Sequence, residues 1–272
     1  MWRFFLTDNN SYFEANKKTW NSKTPVHIGS DFYDVEGFKK GQTSLKFIEL
    51  EELGDIKGKS VLHLQCHFGM DTLSLARMGA KVTGIDMSDK AIESAKKLND
   101  ELKLDAEFIC CNIFDLPKFL DKKFDIVFTS YGVIGWLPEL KEWGNIISHF
   151  LKPGGMFYMV ELHPFIWIFD DEFKYFQYSY FMKEPIEETY SGTYADRNAN
   201  IKNTSYGWNH TFSEIFNSLI NSGLEINFLN EFPFSTFNCF QNMIKIGEDK
   251  YVFENHKDLI PYMYSIKATK KL

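Results

Sequence analysis

One stretch constrains this chain more than any other: Val61-Leu62-His63-Leu64-Gln65-Cys66-His67-Phe68-Gly69, followed by Val82-Thr83-Gly84-Ile85-Asp86. It reads as an apolar strand, a tight turn, a helix and a second apolar strand ending in a carboxylate. That is the first half of a nucleotide-binding α/β unit, with the carboxylate ~20 residues beyond the turn, where a ribose diol is met. The turn is poor in glycine. Gln65 and His67 stand where glycines usually let the backbone approach a ligand.

More alternations follow. Strands are expected over residues 60–64, 81–86, 106–110, 124–130 and 156–161. Helices are expected over residues 44–53 (Ser44 as N-cap), 71–78, 88–103 (Ser88 as cap), 138–151 and 211–221, with two closing strands at 224–229 and 262–269. Short buried strands separated by helices imply a parallel sheet with right-handed crossovers. Residues 1–42 are rich in aromatic residues and read as an irregular N-terminal cap. Residues 164–207 lack a clean period and read as an insertion covering the carboxyl ends of the strands.

Composition narrows the partners. With 272 residues, 44% of them apolar and 17% aromatic, the chain can bury a large core and still line a pocket with rings. A net charge of −7 argues against a phosphate-backbone partner, so no nucleic acid is expected. Cys66, Cys110, Cys111 and Cys239 form no CxxC pair, which speaks against a thiolate metal site and against a disulfide framework. The stretch Met1–Leu6 turns polar too soon for a signal peptide, and no run approaches a membrane span. A cytoplasmic protein with no membrane partner is the expectation; the oligomeric state is not readable.

Four segments, in order, carry a family resemblance: the turn Val61–Gly69; Gly84-Ile85-Asp86-Met87-Ser88; Phe108 to Pro117, containing Cys110-Cys111-Asn112-Ile113; and Phe124 to Ser130, followed by Leu151-Lys152-Pro153-Gly154-Gly155. With them the chain resembles the class I S-adenosylmethionine-dependent methyltransferases, well over residues 43–163 and loosely over 208–270. The Leu62–Gly69 wording, with Thr24-Pro25-Val26-His27 upstream and Glu161-Leu162-His163-Pro164-Phe165 downstream, looks like a branch acting on small molecules. The resemblance implies one α/β domain over residues 1–272: a cap (1–42), a cofactor-binding core (43–163), a substrate-covering insertion (164–207) and a C-terminal part (208–272). Its sheet is Rossmann-like, seven-stranded and mostly parallel, with an antiparallel last strand and helices on both faces.

The resemblance also assigns roles. Asp86 holds the ribose hydroxyls of S-adenosylmethionine, or else only caps the next helix. Gly69 is the last glycine of the turn, where a side chain would block the cofactor, or a plain turn glycine. His63 replaces the family's acidic residue and reads as a satisfied strand-end histidine. His67, if protonated, pairs with the cofactor carboxylate; otherwise it shapes the loop. Asn112 accepts from the adenine amino group or shapes its turn; Met87 and Ile113 flank the ring. Ser130 and Tyr131 lie beside the methionine part. His163 is the candidate general base, against a turn-shaping role. His27, Tyr33, Trp136, Trp208 and His210 are candidates for the acceptor pocket, against plain core. No metal is expected. S-adenosylhomocysteine is the implied product. A non-catalytic binder of the same fold and, less in keeping with the turn, an NAD(P)-dependent oxidoreductase are the rival readings, with an RNA or protein methyltransferase disfavoured by the acidic balance.

Overall fold

The computed structural model describes residues 6–170, 172–238 and 240–272. The readings attached to Met1–Phe5 and to Cys239 therefore lie outside the described residues. The helices are α1 (Leu6–Ile28), α2 (Val35–Lys39), α3 (Phe47–Leu53), α4 (Met70–Arg77), α5 (Asp89–Leu102), α6 (Lys141–Phe150) and α7 (Phe212–Asn221). The strands are β1 (Ser60–His63), β2 (Lys81–Asp86), β3 (Ala106–Cys110), β4 (Phe124–Ser130), β5 (Leu151–Leu162), β6 (Ile186–Ser191), β7 (Lys202–Gly207), β8 (Leu224–Phe232), β9 (Met243–Gly247), β10 (Lys250–Phe253) and β11 (Met263–Lys270). Seven of the strands form one sheet in the order β3-β2-β1-β4-β5-β11-β8. β11 runs antiparallel to both β5 and β8, as expected of the closing strand.

The chain packs as two compact units. The first takes in the described residues of 1–45 with Ile56–Lys122 and Pro185–Gly207. In it β1 pairs in parallel with β2, and β2 with β3, so that Asp86 stands opposite Cys110 at the carboxyl ends. Ser88 caps α5 by accepting from the Ala91 N–H, and the helix buries Ala91, Ile92, Ala95 and Leu98. Ile92, Ala95 and Leu98 meet Phe38, Phe68, Leu73 and Phe108 in one cluster. Each large side chain fully removed from water there contributes roughly 1.5–3 kcal/mol.

The N-terminal segment is helical, not irregular. α1 is 23 residues long, with Pro25 in its last turns. Its buried positions Asn16, Thr19, Lys23, Thr24 and His27 follow a helical spacing, but all are polar. A search for apolar periodicity passes over such a stripe. The stripe faces polar partners: Asn16 Nδ2 donates to the Tyr206 carbonyl, Thr19 Oγ1 to that of Thr204, and Ser22 Oγ to Asn203 Oδ1. Those acceptors lie on or beside β7, which pairs with β6 in a hairpin. The hairpin was hidden in the stretch read as an aperiodic insertion.

The second unit is Lys46–Asp55, Lys123–Glu184 and Trp208–Leu272. β4 and β5 are parallel, and Ser130 stands opposite Val160. Here α3 begins at Phe47, not at the expected Ser44; Lys46 is its N-cap, and its N–H donates to Glu49 Oε1 at 3.2 Å. Ser44, in the first unit, instead donates to Asp71 Oδ1 at 2.6 Å. Trp143, Phe157, Tyr158 and Ile266 are fully buried. The β9–β10 hairpin was not foreseen.

Candidate active site

In the first unit, the turn after β1 has an unusual backbone. Gln65 (φ 54°), His67 (φ 51°) and Gly69 (φ 81°) are all left-handed. Two side-chain-bearing residues thus adopt the conformation that glycine takes freely, at roughly 1–2 kcal/mol each. Asp86 holds this turn. Its Oδ2 accepts from the His67 N–H at 2.9 Å and its Oδ1 from the Ser88 N–H at 2.8 Å. The residue is half-buried, and burial lifts its pKa from 3.8 to about 6 against the opposing pull of these N–H groups. Two bonds leave lone pairs on both oxygens.

Gly69 is required for packing as well as for its backbone. A Cβ there would lie 2.7 Å from Phe108 Cε1 and 3.0 Å from Ala95 Cβ, so a side chain is excluded by the protein's own core. His63 is buried, its Nδ1 2.8 Å from Thr72 Oγ1, and burial lowers its pKa to about 4. It is the satisfied neutral histidine expected at that strand end. Asn112 caps the 3-10 turn Ile113–Lys118, its Oδ1 accepting from the Phe114 N–H at 3.1 Å. The turn-shaping role is therefore real, and the oxygen keeps a second lone pair. Ile113 is buried and Met87 half-buried.

His67 corrects its own expectation. Its ring packs among Trp20, Tyr33 and Phe68, and its Nε2 lies 2.9 Å from His27 Nδ1. Burial, then His27 and Lys23, hold its pKa well below the usual histidine range. A neutral imidazole cannot supply the cationic contact to a carboxylate. His27 and Tyr33 join the same cluster, stacked with centroids 5.1 Å apart, and the Tyr33 hydroxyl lies 2.5 Å from that of Tyr194.

In the second unit, the loop after β4 is built around Glu161. Its Oε1 accepts from the N–H groups of Gly132 and of Leu162 (2.7 Å), and its Oε2 from those of Val133 (2.8 Å) and Ile134 (3.3 Å). This carboxylate is 2% exposed, and its pKa is raised by burial in spite of the four bonds. Tyr131 has φ 20° and Gly132 φ 72°, and the Tyr131 hydroxyl donates to buried Glu49 at 2.6 Å. Ser130 is buried at the end of β4.

His163 is not placed to act as a base. Its Nδ1 accepts from the Phe165 N–H at 3.0 Å, capping the 3-10 turn Pro164–Ile168, and its Nε2 lies 2.9 Å from Glu231 Oε1. The first bond leaves the proton on Nε2, which donates a hydrogen bond to the Glu231 carboxylate, so neither nitrogen has a lone pair for a substrate proton. His210 Nε2 donates to the Leu137 carbonyl at 2.8 Å, and the Trp208 N–H to that of Gly135. Trp136 closes the 3-10 turn Ile134–Trp136 in the same loop. Three residues expected in an acceptor pocket therefore belong to or brace the loop that Glu161 gathers. Among the described residues no cluster of histidine, cysteine and carboxylate suits a metal ion, and no helix is long and apolar enough to cross a membrane.

A family model described as a methyltransferase domain matches residues 55–217, more than half of the chain. The chain belongs to the methyltransferase domain family. It is 37% identical over 131 residues to an uncharacterised methyltransferase of Synechocystis, covering 47% of this chain and 59% of that protein. It is 36% identical over 133 residues to the demethylmenaquinone methyltransferase of Lactococcus lactis, covering 46% and 51%. The chain thus spans between half and two thirds of the length of these relatives. Among solved structures, the geranyl diphosphate C-methyltransferase of Streptomyces coelicolor superposes with a TM-score of 0.61 at 16% identity, covering 95% of this chain and 98% of that one. An S-adenosylmethionine-dependent methyltransferase of Clostridium acetobutylicum gives 0.58 at 14% identity, over 94% and 99%. At such identities the likeness establishes the fold. Within this methyltransferase domain, sequence reading passed over Glu161 as a structural centre. The signal was there: a lone carboxylate at the end of the apolar run Met156–Val160 must find several donors.

Proposed function

We propose that this domain is an S-adenosylmethionine-dependent methyltransferase acting on a small molecule in the cytoplasm. The observation that carries the reading is Asp86, a half-buried carboxylate at the carboxyl end of β2 that holds the preceding turn and still has lone pairs for a ribose diol. The family match supports it. In this reading Asp86 accepts from the ribose hydroxyls, Met87 and Ile113 flank the adenine, and Asn112 uses its second lone pair on the adenine amino group. Gly69 permits the turn and opens the helix whose first N–H groups face the methionine carboxylate of the cofactor. Ser130 and Tyr131 keep the role of lining the methionine part.

The cofactor, when bound, supplies a methyl group already activated by a sulfonium, so the protein must chiefly align an acceptor and exclude water. A dedicated base is not required of it, which accords with the engaged nitrogens of His163. The acceptor is read as a small molecule because the chain is acidic and because its similar proteins include ones named for a menaquinone precursor and for geranyl diphosphate. The test is calorimetry with S-adenosylhomocysteine and, separately, NAD⁺, followed by release of S-adenosylhomocysteine over a panel of phenols, thiols, amines and prenyl diphosphates. Binding of the first nucleotide alone, with turnover on a panel member, is the expected result. Failure to bind S-adenosylhomocysteine overturns the reading, and tight binding without turnover on any class turns it into that of a non-catalytic binder.

A further inference from the structure

His27 and His67 are joined through one nitrogen of each ring, His27 Nδ1 to His67 Nε2 at 2.9 Å. The two outer nitrogens, His27 Nε2 and His67 Nδ1, are buried and have no hydrogen-bond partner among the described residues. His27 as a whole is 0% exposed. Both rings are neutral, because burial, with the Lys23 ammonium as a further cause, holds their pKa values below the usual histidine range. A neutral imidazole has one N–H and one bare nitrogen. With one proton between the rings, one outer nitrogen must carry a proton and the other a lone pair. The inner proton can sit on either ring, so the two ends can exchange roles. Tying α1 to the turn needs only the inner bond. Two buried polar atoms left unmatched oppose folding, and a bond between histidines is a costly way to make a purely structural link.

The rings of Trp20, Tyr33, Phe68 and Tyr194 pack against the pair at centroid separations of 4.6 to 6.1 Å. Lys23 lies one helical turn before His27, on the same face of α1. It is 4% exposed, and its Nζ is 4.7 Å from the Trp20 ring centroid and 6.0 Å from that of Tyr194. All of these residues belong to the first unit. Tyr194 stands on the loop between β6 and β7, so this wall can shift without breaking a helix or strand. Aromatic faces suit a flat ring, and a paired donor and acceptor suit a group that both gives and takes a hydrogen bond. A hydroxyl is such a group, whereas a thiol is a weak donor. A protonated amine is repelled by Lys23, and a diphosphate needs several cations. We propose that the His27–His67 pair recognises the hydroxyl of a phenolic methyl acceptor. This rests on the functional reading above and narrows its acceptor class. The His67 N–H is bonded to Asp86, so a ligand on the pair adjoins the turn that the ribose-binding carboxylate holds. On methylation the phenol oxygen gains a methyl in place of its proton, which goes to water. The ether so formed accepts a hydrogen bond but cannot donate one, so product is held less well than substrate.

Wild-type protein saturated with S-adenosylhomocysteine is titrated with phenol, catechol, hydroquinone and 4-hydroxybenzoate, and with anisole, thiophenol and benzylamine as controls. The imidazole ¹⁵N resonances of His27 and His67 are followed. At least one phenol should move the resonance of an outer nitrogen and bind ~5-fold or more tightly than anisole, the range of one hydrogen bond. His27→Asn and His67→Gln then delete the outer nitrogens one at a time. The Asn amide reaches only as far as Nδ1 and the Gln amide as far as Nε2, so each variant keeps the inner bond. At least one variant should lose affinity for that phenol by the same factor, with S-adenosylhomocysteine binding unchanged and, in turnover, the loss falling mainly on KM. No binding of any phenol, equal binding of anisole, or unchanged phenol affinity in both variants overturns the proposal. A parallel loss of phenol and S-adenosylhomocysteine affinity in both variants also overturns it, since that is the mark of a merely structural bond. If neither variant folds, the wild-type titration decides alone. Wild type that does not bind S-adenosylhomocysteine breaks the functional reading instead. Wild type that binds it but takes up thiophenol or benzylamine and no phenol breaks only this proposal.

Discussion

Asp86 and Glu161 are both carboxylates near the carboxyl ends of strands, and both tie down a loop by its backbone N–H groups. They differ in how much of their capacity the protein uses. A carboxylate has about four acceptor positions. Glu161 is buried, with all four filled by Gly132, Val133, Ile134 and Leu162. Asp86 is half-buried and accepts hydrogen bonds from the His67 and Ser88 N–H groups, one on each oxygen. The same side-chain chemistry is structural where it is saturated and available to a ligand where it is not. Counting occupied lone pairs separates the two roles better than residue type does.

The largest effect should come from emptying the saturated site. Glu161→Ala leaves four buried or half-buried donors without their acceptor, and unfolding in urea should show a loss of about 3 kcal/mol or more. Asp86→Ala should cost clearly less stability, because water reaches the freed donors. If the two substitutions destabilise equally, the contrast is wrong. The corresponding loss at Asp86 should appear in binding: affinity for S-adenosylhomocysteine should fall by ~1–3 kcal/mol, the scale of a charged hydrogen-bond partner, as measured by calorimetry.

A pH series sharpens the same point. The Asp86 pKa is raised to about 6 in the folded protein, above its ordinary value of 3.8. A group shifted this way favours the folded state below its unfolded pKa, and that contribution disappears as pH rises through about 6. Ligand-free stability contributed by Asp86 should therefore decline between pH 4 and 6. Affinity for S-adenosylhomocysteine should move the other way, rising about tenfold from pH 5 to 7 as the carboxylate ionises and becomes the stronger acceptor. A flat affinity profile would remove Asp86 from the ribose.

The smallest effect concerns the strain Asp86 helps to hold. Gln65→Gly relieves a left-handed side-chain residue but adds disorder to the unfolded chain, and the two terms of roughly 1 kcal/mol nearly cancel. Melting should shift by no more than about 0.5 kcal/mol in stability. A loss of 2 kcal/mol would mean that the Gln65 side chain has a role beyond the turn.

The alternating core was legible because its strands and helices carry their period in apolar residues. β2, β3 and β4 lie at the expected bounds, and α5 has the expected cap. α1 was not legible, since its inward stripe of Asn16, Thr19, Lys23, Thr24 and His27 is polar and makes sense only against β7 and its hydrogen-bonding groups. At the site, the position of Asp86 followed from the strand ending in a carboxylate. The neutrality of His67 and the engagement of His163 did not follow, because each depends on neighbours distant in the chain: Trp20 and His27 for the one, Glu231 for the other.

By itself, then, the order of residues determined the sheet-and-helix alternation, the family and the placing of an acid at the end of β2, since these depend on local period and short spacing. Only the tertiary structure decided which histidine nitrogens are engaged, why Gly69 admits no side chain, and that Glu161 rather than His163 organises the loop after β4. The reason is physical. Protonation, lone-pair occupancy and steric room are set by what surrounds a side chain in space, and the residues that do so here come from elements tens of residues away.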